Sequence, residues 1–146
     1  MMKSLPDINV WLALALTGHI HHKVATAFFA DHDDDLSVAF CRSTQMGMLR
    51  LLTTEVVMQA HNKPALKNLD AWTLQQAWAG RSNVFLADEP AGIEVPWARF
   101  AAIRSASPKL WMDAYLAAFA IAGGFTLVTN DKAFKQFKGL DVLLLK

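Results

Sequence analysis

The chain reads as an α/β fold, a mainly parallel sheet covered on both sides by helices. Three observations predict it. Short apolar runs alternate with helix-like stretches along the whole 146 residues. The runs are apolar at consecutive positions, as in Leu36 to Cys41 and Thr126 to Thr129, which suits strands buried on both faces. Finally, Asp7, Asp113 and Asp131 each stand where a strand and a helix should meet, in LPDINVWLALAL, SPKLWMDAYLAAFAIAGG and FTLVTNDKAFKQF.

Element by element, Lys3 to Asp7 fits a first strand with Pro6 near its end. Asn9 to Leu16 carries helix formers, and Gly18 stops them. Val24, Ala27 and Phe28 share an i, i+3, i+4 stripe, predicting a helix from about His21 to Ala30. Asp31 to Asp35 is a charge run suited to a solvated loop, and Leu36 to Cys41 a buried strand. Ser43, Thr44 and Gln45 open a helix whose apolar stripe is Met46, Leu49 and Leu52. Pro64 to Asp70 reads as a break and Trp72 to Ala79 as a helix. Asn83 to Leu86 is a strand cut short by Asp88, Glu89, Pro90 and Gly92. Pro96 to Ser105 follows as a helix with Trp97, Phe100 and Ala101 on one face, then Met112 to Ala122 as the most buried helix. Thr126 to Thr129 is a strand, Asp131 to Phe137 a short helix, and Val142 to Leu145 a last strand.

Composition bounds the function. A hydrophobic content of 53% against 18% charged residues excludes a disordered chain, and the length suits one domain, residues 1–146. A net charge of +1 supplies no global field for nucleic acid, so any such contact needs a local patch or a metal. The single cysteine, Cys41, excludes an internal disulfide and a cysteine zinc cluster, and its apolar context suits a buried thiol. Val10 to Leu16 lacks the flanks of a signal peptide, and Gly123-Gly124 splits the apolar stretch from Ala114 to Val128 well short of a membrane span. The expected setting is cytoplasmic.

The aspartates admit two readings. Aspartate is a favoured helix N-cap, and each could simply satisfy free N–H groups. Asp7 and Asp131, however, end runs that read as buried strands, and ligand sites in open α/β sheets form beyond the carboxyl ends of strands. Three convergent carboxylates cannot all stay charged without a positive group between them. A hard divalent cation such as Mg²⁺ or Mn²⁺ meets that need with oxygen ligands.

With these phrases in order, and CRSTQMGMLRLL between them, the chain resembles the PIN-domain family, and within it the VapC-type toxins of bacterial toxin–antitoxin pairs. The resemblance implies a three-layer α/β/α sandwich. It also implies a metal-dependent endoribonuclease that cleaves RNA and is silenced by a cognate antitoxin. Position by position, Asp7, Asp113 and Asp131 match the family's metal-holding aspartates, Thr129 and Asp131 its T-x-D ending, and Asn9 its small polar residue after the first aspartate. Gln45 stands where many members carry a glutamate, so it is expected at the rim of the metal pocket with no charge to offer. In-line attack by metal-activated water is expected to leave a 5′-phosphate and a 3′-hydroxyl. The competing reading is a degenerate PIN domain that binds RNA or antitoxin with little cleavage. A homodimer is expected from the apolar surplus.

Other residues carry weaker signals. His19, His21 and His22 suit an exposed helix start rather than a metal site. Lys132, Lys135 and Lys138 recur every three residues beside Asp131, as a solvated face able to meet RNA phosphates. Trp11, Trp72, Trp78, Trp97 and Trp111 lie in apolar contexts that favour packing over base stacking for most of them.

Overall fold

The computed structural model describes residues 2–146. Its elements are β1 (Ser4–Pro6), α1 (Ile8–Ala15), α2 (His22–Asp31), β2 (Val38–Phe40), α3 (Arg42–Leu52), α4 (Glu55–Gln59), α5 (Asn68–Ala79), β3 (Val84–Leu86), α6 (Glu94–Ala101), α7 (Leu110–Gly123), β4 (Thr126–Thr129), a 3₁₀ helix (Lys132–Gln136) and β5 (Val142–Leu144). The strands form one sheet in the order β3-β2-β1-β4-β5, with every pairing parallel.

Strand pleating sorts the side chains into two cores. Val38, Phe40, Val84 and Val128 face the layer of α1, α2, α3 and α5, where Trp11 stacks on Phe40 with ring centroids 3.7 Å apart. Leu5, Ala39 and Leu127 point the other way, onto α6, α7 and Phe134. Helices therefore cover both faces, as the continuous apolar runs require. Trp11 is fully buried while Trp72 and Trp111 are about half exposed, so the tryptophans divide between core and surface. Among the described residues no helix is long and apolar enough to cross a membrane.

Topology positions the site. From β1 the chain steps through β2 to β3, then returns across the sheet to β4 on the other side of β1. The order therefore reverses between β1 and β4, and a crevice opens beyond their carboxyl ends. Asp7 leaves β1 there, and Asp131 follows β4 two residues past its end. Gly124 ends α7 in the left-handed conformation, at φ +73, which lets the chain turn directly into β4.

Several expected boundaries move. α4 was not anticipated, because five residues are too few to display a helical period. α4 ends at Gln59 and α5 starts at Asn68, so the break covers residues 60–67 and lies earlier than Pro64 to Asp70. α6 begins two residues before Pro96, whose ring is tolerated in a first turn where no intrahelical N–H bond is lost, and it ends at Ala101 rather than Ser105. In α2 the buried stripe is Ala25 and Phe28, with Ala27 exposed. The segment after Asp131 winds as a 3₁₀ rather than an α-helix.

Candidate active site

The carboxyl ends of β1 and β4 are joined through the first aspartate. The Asp7 N–H donates to the Val128 carbonyl at 2.9 Å. Its Oδ1 accepts from Val10 N–H at 3.1 Å, which caps α1, and its Oδ2 accepts from the Thr129 hydroxyl at 2.5 Å. The same hydroxyl oxygen accepts the Asp131 N–H at 2.9 Å, and Asp131 Oδ1 in turn accepts from Ala133 N–H at 2.9 Å. Thr129 is thus a clamp between two aspartates. The capping role and the convergence considered for these residues hold together: Asp7 and Asp131 each cap a helix and still line one cavity.

Asp113 comes from the opposite side, in the first turn of α7. It shares with Asp7 and Asp131 a cavity of about 630 Å³, whose walls include Ile8 and Asn9 of α1, Ser43, Met46, Gly47 and Arg50 of α3, and Lys109 and Met112 at the start of α7. Gly47 lets α3 approach α1 closely: a Cβ at that position would come within 2.2 Å of Ile8 Cδ1 and push the Ile8 side chain aside. Among the described residues no three acidic, histidine or cysteine groups stand close enough to form a ready-made cation cage. The three carboxylates face a common space rather than touching one another.

Electrostatics bears out that coupling. Asp7 is 4% exposed. Burial first, and the charge of Asp131 last, push its pKa from 3.8 up to about 6, against hydrogen bonds from Thr129, Val10 and Asn9 that pull it down. Asp113 is also raised, chiefly by burial, with Lys109 opposing and Asp131 adding to the rise. Each raised carboxyl therefore reports Asp131 as an anionic neighbour. All the donors are hard oxygens, and a positive ion between them would relieve the two raised carboxyls, so the residues fit a hard divalent cation.

Gln45 is elsewhere. Expected at the pocket rim, it does not line the cavity: it is buried, its amide nitrogen donates to Gln75 Oε1 at 3.2 Å, and its carbonyl accepts from Arg42. Helix phase explains the correction. Ser43, Met46, Gly47 and Arg50 lie on one stripe of α3, and a residue two positions past Ser43 points about 200° away, toward α5. Glu55 is on α4 and exposed.

The histidines are half-buried rather than exposed, and they lie outside the cavity. His19 stacks on His61 at 4.5 Å between ring centroids and accepts the His21 N–H at 3.0 Å, while a His22 ring nitrogen lies 2.7 Å from the Ala13 carbonyl oxygen. Lys132, Lys135 and Lys138 are exposed, and the first two line a separate recess with Asn130 and Lys146. Ser43, Arg50 and Lys109 were missed as wall residues. Their signal was present: Arg50 follows Ser43 by seven positions and Lys109 precedes Asp113 by four, each a same-face helical spacing.

The family profile described as PIN domain matches residues 5–140. Ribonuclease VapC41 of Mycobacterium tuberculosis is 47% identical over 142 residues, 97% of either chain. Ribonuclease VapC33 of the same organism is 27% identical over 138 residues, 93% of either chain. Among solved structures, VapBC2 from Rickettsia felis, bound to a DNA fragment from the promoter, superposes with a TM-score of 0.72 at 14% identity, covering 99% of this chain and 100% of that one. VapC20 of Mycobacterium tuberculosis, described as a sarcin–ricin loop cleaving toxin, gives 0.66 at 16% identity, covering 96% and 98%.

Proposed function

The chain belongs to the PIN-domain family, and we propose that it works as a VapC-type toxin endoribonuclease, a hydrolase that cuts RNA phosphodiesters in the acidic cavity. One observation carries the reading at the level of residues. Asp7, Asp113 and Asp131, from three distant parts of the sequence, line one cavity at the switch point between β1 and β4.

Asp7, Asp113 and Asp131 would hold Mg²⁺ or Mn²⁺, directly or through water. When bound, such a cation supplies Lewis acidity to a phosphate oxygen and to water. Thr129 keeps the Asp7 carboxylate in one rotamer and spaces it from Asp131. Lys109 and Arg50, both exposed on the cavity wall, supply cations for the phosphates on either side of the cut. Asn9, exposed on α1, offers an amide to the ribose or phosphate. Gln45, turned toward Gln75, has no part in holding the ion.

A toxin must be silenced in its own cell. A cognate antitoxin is expected to lay a segment across the cavity and insert an arginine or lysine among the three carboxylates, a pairing that is strong only where hydrogen bonds complete it. That structural neighbours include toxin–antitoxin complexes supports such a partner. A homodimer would cover exposed apolar residues such as Val95 and Ile103.

The test is direct. Purified protein should cut single-stranded RNA with Mg²⁺ or Mn²⁺, stop when EDTA is added, and resume when the ion is restored. Expression alone should arrest growth, and coexpression of the antitoxin should relieve it. Undiminished cleavage in EDTA by nuclease-free preparations sinks the metal assignment. Harmless expression at good soluble yield, with Asp113→Asn behaving identically, sinks the toxin reading.

A further inference from the structure

Arg50 borders two recesses. One is the acidic cavity; the other is a groove of about 500 Å³ between α3 and α5, lined by Leu49, Thr53, Asn68, Leu69 and Trp72. The groove is built from unlike parts. Trp72 leaves 49% of its surface open, so part of a large aromatic side chain is available to a ligand in the groove. Leu49 and Leu69 add apolar contact, Asn68 an amide able to donate and accept. The Thr53 hydroxyl already donates to the Leu49 and Arg50 carbonyls, at 3.0 and 3.1 Å, so toward a ligand it can only accept.

We propose that this groove is a subsite for an unpaired nucleobase of the RNA, one that flanks the scissile phosphate and stacks on Trp72. The inference rests on the ribonuclease reading above and extends it from where the strand is cut to what is recognised beside the cut. A strand with one phosphate over the carboxylates and its course toward α5 must pass Arg50. The guanidinium is suited to take the next phosphate, since it is exposed and borders both recesses. The base on that side then reaches the half-exposed indole of Trp72, with the Asn68 amide and the Thr53 hydroxyl lining the same groove. Unpaired bases are read in this way, by stacking on an aromatic plane and hydrogen bonding along the exposed edge. Arg50 favours an anionic polymer over an apolar peptide as occupant, and continuity with the acidic cavity favours the substrate strand itself.

The test pairs two changes. A short single-stranded RNA with a mapped cut is prepared intact and with a single abasic residue at each position flanking the cut. Its cleavage is followed with the full chain and Mg²⁺ or Mn²⁺. For the unaltered protein, one flanking abasic position should raise KM about ten-fold, with kcat little changed. Trp72→Ala should raise KM for the intact RNA by a similar factor and show no further loss at that abasic position, while Trp72→Phe keeps most of the affinity. Should Trp72→Ala fold poorly, Trp72→Phe and the abasic series on the unaltered protein still decide the matter.

An equal abasic penalty in both proteins, or an unchanged KM in Trp72→Ala, overturns the subsite. So does a Trp72→Ala protein with normal RNA kinetics that no longer retains its coexpressed antitoxin, because the groove is then a protein-docking surface. Absence of RNA cleavage by the unaltered protein would overturn the ribonuclease reading itself, and the subsite with it.

Discussion

The floor and the rim of the acidic cavity are built differently. On the floor, Asp7, Thr129 and Asp131 sit on adjacent strand ends and are locked by four hydrogen bonds, two of them from backbone N–H groups that the carboxylates cap. On the rim, Met46 and Met112 are 58% and 48% exposed, Arg50 and Lys109 reach into solvent, and Asp113 is only half-buried on a helix. On the proposed function the contrast separates two tasks. A cation needs oxygen donors held in place by supporting groups, which rigid strand ends provide. A polymer needs a surface that can adapt to successive phosphates and bases, which long, exposed helix side chains provide.

The sharpest way to break the comparison is to lengthen one carboxylate on each side. Asp7→Asn and Asp113→Asn should each lower cleavage by about a hundred-fold or more, since each removes a charge aimed at the reacting centre. Asp7→Glu should be as damaging as Asp7→Asn, because the extra methylene cannot keep both the Val10 and Thr129 bonds. Asp113→Glu should retain part of the activity. Initial rates with Mn²⁺, together with thermal melting to show intact folds, decide it. Equal losses for the two glutamates would mean that floor and rim are equally rigid.

The stability difference between Asp7→Asn and the unaltered chain, followed against pH, isolates the floor, because the raised Asp113 is common to both. The Asp7 carboxyl titrates at about 6 when folded and near 3.8 otherwise. Between those values the folded state holds a proton that the unfolded state has released, so this group's contribution weakens as pH rises through the window and is fully lost above about 6. The span corresponds to about 3 kcal/mol. In metal-free buffer at pH 7, Asp7→Asn should therefore be more stable than the unaltered chain by up to that amount, and the gap should close toward pH 4. Added Mg²⁺ should close it at neutral pH as well. A gap independent of pH in urea titrations would mean that the Asp7 carboxylate is not strained by its burial.

Thr129→Val should cost about 10- to 100-fold in metal affinity or activity, as loss of a group that orients a ligand does. Its hydroxyl pulls the Asp7 pKa down, so its removal should move the acid limb of the pH–rate profile upward. Thr129→Ser should restore both. A Thr129→Val profile that falls in rate without moving along the pH axis would leave Thr129 with a packing role only.

How much of this was legible in the chain differs between the same two regions. The floor was readable, because strand-end aspartates announce themselves in short apolar phrases, and T-x-D puts a hydroxyl two residues before a carboxylate. The parallel sheet was readable for a related reason: runs such as Val38–Phe40 and Thr126–Thr129 offer no polar face to water. Of the rim, Asp113 was readable from its phrase but the α3 wall was not: spacing groups Ser43 with Arg50, yet which stripe of α3 faces the cavity depends on how that helix rotates against α1 and α5. The tight approach of Gly47 to Ile8 settles that rotation, and a glycine within a helix does not reveal it in advance. Short α4 and the early start of α5 escaped for want of a visible period.

Gln45 is where that rotation can be tested at its finest. Its side chain belongs to a polar relay that runs from the surface inward, in which Arg42 donates to Gln45, and Gln45 and Gln76 both donate to Gln75 Oε1. Gln45→Glu would strengthen the contact to Arg42 and set a carboxylate against Gln75 Oε1, an opposition that a flip of the Gln75 amide would relieve. The added charge meets a guanidinium rather than the three aspartates. Mn²⁺ affinity measured by calorimetry should therefore change by less than about two-fold, well below the effect of removing a group that orients a ligand. A change of ten-fold or more would place position 45 in the cavity after all. It would require α3 to turn Gln45 toward Asp7 when the ion binds, and the rim would then be mobile on the scale of a whole helix rather than of single side chains.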